Sequence, residues 1–329
     1  MLTVSSTGSF LRLPVCLFSS RASPRQSLGV VVARPTILPS LSHHGISDVA
    51  LACRQGLGKM CRNVIPILGL GASHLTQHGE VDYTSQALNH RVTAIKLVNE
   101  QFINPPKDAD TADALFAAII CLATQTSLLP DGMVEYLTIT RGGALIWAFV
   151  IPGHKESLFS SFTNESHDEA LSQVVSEEPK DFEIPDEFLA SVMRVKPLCK
   201  KSYELQYCQS IIATIEGLRV SSLQAWKAHA DLWRAHCYFD NDTFSAFIHP
   251  ENYPAQLLIV HMFLLDYVLG PFCTSSTEEF KFPARKQVII SWARNLLKRL
   301  PPEFKIYGNW IEKYCYTLEA SNGRSLLTP

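Results

Sequence analysis

The residues best suited to chemistry in this sequence lie within apolar segments of its second half. Trp226, His229, Trp233, His236 and Cys237 follow one another between Leu223 and Tyr238, and His261 and Asp266 stand inside the almost wholly apolar run from Gln256 to Leu269. Histidine and cysteine are zinc ligands, but a site needs four donors in a tetrahedron. His236 and Cys237 are adjacent and point in different directions, and His229 and His236 stand two turns apart, so no metal site is expected. Leu223, Trp226, Ala230, Trp233 and Cys237 fall on one helical stripe, and aromatic residues at that spacing read first as core. A buried His261 or Asp266 needs a partner, ordinarily a neighbouring helix or a backbone group. The sharper reading takes them as polar anchors in a pocket for a lipid-like molecule. On that reading Trp226, Trp233, His261 and Asp266 are the candidate ligand-binding residues.

Catalytic signatures are sparse. The sequence holds no G-x-S-x-G, no Walker loop and no H-E-x-x-H. Gly69-Leu-Gly71 lacks the third glycine and the preceding strand of a dinucleotide loop, and reads as close helix packing. An all-helical enzyme of the terpene-cyclase type would need clustered carboxylates to hold magnesium and a diphosphate. Asp108, Asp110 and Asp113 are three carboxylates within one turn and a half, but a helix cap accounts for them. Asn241-Asp242-Thr-Phe-Ser245 opens like the second cyclase motif and then places His249 where an oxygen ligand belongs. We assign no catalytic residue, no cofactor and no metal.

At 329 residues, with 47% apolar and 18% charged residues and a formal net charge of −2, the chain is globular and has no basic field to hold nucleic acid. Nine scattered cysteines without a C-x-x-C read as reduced, buried thiols of an intracellular protein. Residues 1–47 hold no acidic residue, four arginines and ten serines. That composition suits a mitochondrial presequence, yet Pro14, Pro24, Pro35 and Pro39 interrupt any long amphipathic helix. The preferred reading is an unstructured leader at a non-native start, such as a translated intron or a truncated gene model. Residues 165–187 carry nine acidic residues against Lys180, and read as a solvated linker. Residues 321–329 read as a disordered tail.

The elements that must position these residues are helices. In the stretch Thr111 to Trp147, ten apolar residues from Ala114 to Ala123 have no solvent face, and are too few to span a bilayer, which needs about 20. Asp110 is placed as the N-cap of this helix and Asp113 as a first-turn carboxylate, and Pro130-Asp131-Gly132 turns the chain into a second one whose Met133, Leu137, Thr140, Ala144 and Trp147 share a face. Gly142-Gly143 interrupts that helix. Leu57, Cys61, Val64, Leu68 and Leu75 share a face before it, and a helix over 83–102 is expected to bury Leu88, Val92, Ile95 and Phe102. Later helices start at Asp186, break near Pro197, restart at Ser221 or Ser222, and stop at Gly270-Pro271. Ile289, Trp292, Leu296 and Leu300 form one further stripe, and Tyr307, Trp310, Ile311, Tyr314 and Leu318 another.

The apolar helix, the turn holding Asp131 and the segment Met133 to Gly142, reading MVEYLTITRG, resemble the regulatory region of fungal zinc-cluster transcription factors, especially the sterol-uptake-regulator-like branch. Val64 to Leu75, Asp82-Tyr83 and Ala87 to Ile95 are similar to that family's first helical hairpin. Pro254 to Leu269 and the helix of Trp292 are similar to its later helices, so the likeness covers roughly residues 50 to 315. The family's defining module packs six closely spaced cysteines around a pair of zinc ions. Here Cys53 and Cys61 are the closest pair, and two thiolates do not complete one tetrahedral site. The resemblance therefore reaches the regulatory part alone, and no direct DNA binding is expected.

What the resemblance implies is an all-α, multi-helix bundle of αα-hairpins forming a single large domain over residues 48–320. It implies a nuclear transcription regulator-like protein that binds rather than catalyses, with no membrane span. Its partners would be a small apolar, sterol-like ligand and other transcription regulators or co-regulators. The alternatives are the cyclase-type enzyme, a helical interaction scaffold and, from the leader, a mitochondrial location.

Overall fold

Prolines, glycines and short polar caps cut this chain into helices. A computed structural model describes residues 64–78, 81–161, 169, 172, 186–273 and 283–320. The leader, the tail and most of the acidic linker lie outside the described residues. Eleven α-helices run through the described residues, without a strand among them. They are α1 (Val64–His78), α2 (Thr84–Ile103), α3 (Ala109–Thr126), α4 (Met133–Phe149), α5 (Asp186–Val195), α6 (Ser202–Val220), α7 (Ser222–Ala235), α8 (Asn241–Ile248), α9 (Tyr253–Cys273), α10 (Pro283–Arg299) and α11 (Pro302–Ala320). The fold class is all-α, as the helical periodicity predicts. The chain divides into two compact units, one holding residues 43–125 and 138–160, the other 126–137 and 161–329.

In the first unit, α3 is the central rod. Its run from Ala112 to Ile119 is buried, with Phe116 set edge-on to Phe159 at 4.8 Å and tilted against Trp147 at 5.7 Å. The cap is Asp108, whose carboxylate accepts the Thr111 amide at 2.8 Å, and not the expected Asp110. Asp113 is also no cap. It is buried and accepts the Leu158 amide at 2.8 Å and the Ser157 hydroxyl, tying the turn after α4 to α3. Gln125, at the far end of α3, donates to the carbonyls of Gly69 and Ala87 and to Ser73 Oγ, all at 3.0 to 3.1 Å, so one amide binds α1 and α2.

Phe102 of α2 is buried and Ile95 packs half-buried on the core, as expected, but the rest of the buried stripe is Ala87, Arg91, Ala94 and Val98 in place of Leu88 and Val92. Leu88 and Val92 are 44% and 64% exposed. One residue is about 100° of helix rotation, so two adjacent stripes fit the same apolar count. The small Ala87 wins because Gln125 must reach its carbonyl. Leu68 and Leu75 of α1 are likewise exposed, and the face they leave is occupied by Gly69, where an added Cβ would stand 3.3 Å from Gln125 and His90. Nothing stands within 4 Å of the equivalent position at Gly71. The helix α4 runs unbroken through Gly142-Gly143, and Gly143 faces Ile119 closely, its built Cβ 3.1 Å from that side chain. Met133–Gly153 is long and apolar enough to cross a membrane by composition, but 61% of it is buried in protein, which suits a core helix.

In the second unit, a turn precedes α4. Leu129 and Gly132 amides bond back to Thr126 and Leu129 carbonyls, and a Cβ on Gly132 would lie 2.7 Å from the Thr126 carbonyl oxygen, so glycine is required. Trp292 Nε1 donates to the Leu129 carbonyl at 2.7 Å and Asn295 to that of Pro130 at 2.9 Å, fixing the turn on α10. A one-turn 3₁₀ helix at Lys196–Leu198 breaks the chain beside Pro197, as expected. Asp186 and Glu187, assigned to the acidic linker from sequence, form the first turn of α5, where carboxylates face free amides. Gly217 of α6 lies 3.0 Å, by its built Cβ, from the Ala225 backbone, so α6 and α7 cross closely. Ser221 caps α7 by accepting the Gln224 amide at 3.1 Å. The helix α9 does not stop at Gly270-Pro271 but continues to Cys273.

Candidate functional site

The cap at Ser221 sets the phase of α7 so that Trp226, His229, Trp233 and, just past its end, His236 point inward. From α9 comes Asp266, buried to 0% exposure like His229 and Trp233. His229 Nε2 and Asp266 Oδ1 are 2.8 Å apart. Trp233 Nε1 reaches both, at 3.0 Å from His229 Nε2 and 3.3 Å from Asp266 Oδ1. Tryptophan only donates, and a bare imidazole nitrogen has a single lone pair, so the arrangement that seats both donors directs His229 Nε2–H and Trp233 Nε1–H at the Asp266 carboxylate oxygen.

Aromatic rings enclose this network. Trp226 packs edge-on to His229 at 6.0 Å, and Tyr136 and Phe263 meet Trp233 at 6.1 and 5.9 Å. Nearby, Tyr207 is fully buried and its hydroxyl has no hydrogen-bond partner among the described residues. Its ionisation is pushed well up, first by burial and then by the negative fields of Cys237 and Asp266. Cys237 donates weakly to the Trp233 carbonyl at 3.5 Å.

His261 belongs to a second cluster. Its Nδ1 faces the Leu257 carbonyl at 2.7 Å, so that nitrogen carries the proton, and Nε2 accepts from Ser191 Oγ at 2.9 Å. The ring stacks on Trp310 at 5.6 Å with an interplanar angle of 7°, and Phe188 meets it edge-on. Burial pushes its pKa down to about 4, the Leu257 hydrogen bond opposing and the Arg194 charge reinforcing that shift. The neutral ring is thus the seat on which α5 rests.

Of the four residues singled out in the sequence, Trp226, Trp233 and Asp266 are therefore brought together around His229, while His261 is placed with Ser191 and Trp310. His229, weighed from the sequence only as a metal ligand, is the member absent from the candidate binding set. Its signal is spacing: it lies three residues after Trp226 and four before Trp233, on the same face.

The carboxylates of the enzyme reading have local roles. Asp108 caps α3, Asp113 binds Ser157 and Leu158, and Asp242 stands in the first turn of α8, whose cap is the neighbouring Asp240, accepting the Thr243 amide at 2.7 Å. His249 Nδ1 accepts the Glu251 amide. Among the described residues no group of three or more His, Cys, Asp or Glu side chains is placed to hold a metal ion. Cys121, Cys199, Cys208, Cys237 and Cys315 are buried and in no disulfide.

The class these features define is an all-α, multi-helix protein with polar networks sealed in an aromatic core. No protein-family model, curated protein or solved structure matches the chain.

Proposed function

We propose that this chain is a helical effector module of a transcription regulator, similar in kind to the regulatory part of fungal zinc-cluster factors, and that it acts by binding a small apolar, sterol-like molecule rather than by catalysis. The observation that carries this reading is the His229–Asp266–Trp233 network. Its few polar atoms are buried among aromatic rings, the mostly apolar surroundings with placed hydrogen-bonding groups that an apolar molecule with one hydroxyl would need once the packing opens to admit it. Such a ligand would shift the module between two arrangements only by binding one of them better. Acting in the nucleus without a DNA reader in this chain, the module would work through other transcription regulators or co-regulators.

Titration with a naturally fluorescent sterol tests the reading, because Trp226 and Trp233 border the network and can transfer excitation to it. Saturable transfer that is lost in Asp266→Leu is expected. Transfer that rises linearly with sterol, or is unchanged in the variant, refutes it.

A second reading rests on a separate observation, the exposed Leu88 and Val92 one turn apart on α2. They suit a helical interaction scaffold. Retention of a partner by the full chain that is lost in Leu88→Glu/Val92→Glu, with the sterol titration negative, would favour it.

A further inference from the structure

Tyr207 is a buried polar group that the fold leaves without a bond. It stands on α6, fully buried, with its ring centroid 4.8 Å from that of Phe247 on α8 and 6.5 Å from that of His236, just past α7. His236 in turn meets Trp233 edge-on at 5.7 Å, so Tyr207 is one ring removed from the His229–Asp266–Trp233 network. Its phenol oxygen is shielded from solvent and has no hydrogen-bond partner among the described residues. Gln125 and Gln256 also leave a buried carbonyl oxygen unpaired, but their amide nitrogens are bonded, to the Gly69 and Ile248 carbonyls among others. Burial keeps the Tyr207 hydroxyl protonated, so it can donate.

We propose that Tyr207 is a second hydrogen-bonding point of the ligand site, donating to an apolar molecule that carries two oxygens, one for the His229–Asp266–Trp233 network and one for Tyr207. The inference rests on the sterol-like reading above and narrows it to a dioxygenated ligand, a hydroxy-ketone or a diol. Free and bound states differ most at this hydroxyl. A guest hydroxyl at the network replaces bonds that His229, Trp233 and Asp266 already make, and so gains little. A guest oxygen at Tyr207 replaces nothing. The hydroxyl already bears the cost of desolvation in the free chain, and the new bond is a net gain. Selectivity is therefore set at Tyr207, where a second oxygen on the ligand should raise affinity about tenfold.

The test is competition against the fluorescent sterol by cholesterol, by a cholesterol with a ring ketone and by one with a side-chain hydroxyl, on the full chain and on Tyr207→Phe, which keeps the ring and its packing. At least one dioxygenated competitor is expected to displace the probe about tenfold more effectively than cholesterol, and Tyr207→Phe to bring that ratio close to unity. Without ligand, the urea midpoint of Tyr207→Phe is expected to equal or exceed that of the parent chain, since the variant removes an unsatisfied polar group. A lower midpoint means that the hydroxyl is already bonded in the free chain, and overturns the proposal. Saturable probe binding with no preference for a second oxygen, or a preference that survives in Tyr207→Phe, overturns it while leaving the sterol reading standing. Absence of saturable probe binding defeats that reading, and this inference with it.

Discussion

Asp266 is the residue whose loss should be felt most, and the size of the effect follows from its surroundings. In Asp266→Ala the donors His229 Nε2–H and Trp233 Nε1–H, bonded now at 2.8 and 3.3 Å, are left in a core from which water is excluded. Each unsatisfied buried donor costs about 1–3 kcal/mol, and breaking a buried pair by removing one partner typically costs about 3–5 kcal/mol in all. Asp266→Asn keeps an acceptor oxygen in place and loses charge, so it should cost roughly half as much or less. Urea denaturation of Asp266→Ala, His229→Ala and the double variant measures the coupling, expected at about 1–3 kcal/mol. An Asp266→Ala cost below about 1 kcal/mol, or additive single variants, would refute the view that these groups depend on one another.

Four further perturbations separate parts of the fold. His261 has a folded pKa of about 4 against an ordinary 6.5, so the unfolded chain binds the extra proton between those values. Its contribution is complete above pH 6.5 and drains away as pH falls toward 4, by up to about 3 kcal/mol, and His261→Gln should flatten the urea midpoint across that window. Gly142→Ala should stabilise by about 0.5–1 kcal/mol, since nothing stands within 4 Å of the new methyl in mid-helix, as thermal melting would show. Gly132→Ala should lower Tm, because its methyl would meet the Thr126 carbonyl at 2.7 Å. Gln125→Leu removes the amide that holds Gly69, Ser73 and Ala87, and should cost about 2 kcal/mol and raise hydrogen exchange in α1 before that in α3.

The helical architecture is legible in the sequence wherever a stripe is unambiguous. Ile289, Trp292 and Leu296 on α10, with Leu300 just past its end, are buried as their spacing predicts. The reading fails where a polar residue decides the phase. Nothing local to α2 says that Gln125 will reach the Ala87 carbonyl, so Leu88 and Val92 are assigned inward and turn out exposed. The same holds for Asp113, whose partners Ser157 and Leu158 are distant in sequence. At the candidate site, burial of His261 and Asp266 follows from their apolar neighbours, whereas their separation into two clusters depends on which helices meet α9. Their positions differ by five residues, about 140° around the helix, and that angle sends them to different neighbours.

The most direct test of the functional account is a reporter measurement with the full chain fused to an unrelated DNA-binding domain, in nuclei grown with and without added sterol. The account predicts reporter output that differs from the DNA-binding domain alone, changes with sterol, and loses that change in Asp266→Leu while the fusion remains folded by hydrogen exchange. Output identical to the DNA-binding domain alone under both conditions would contradict it.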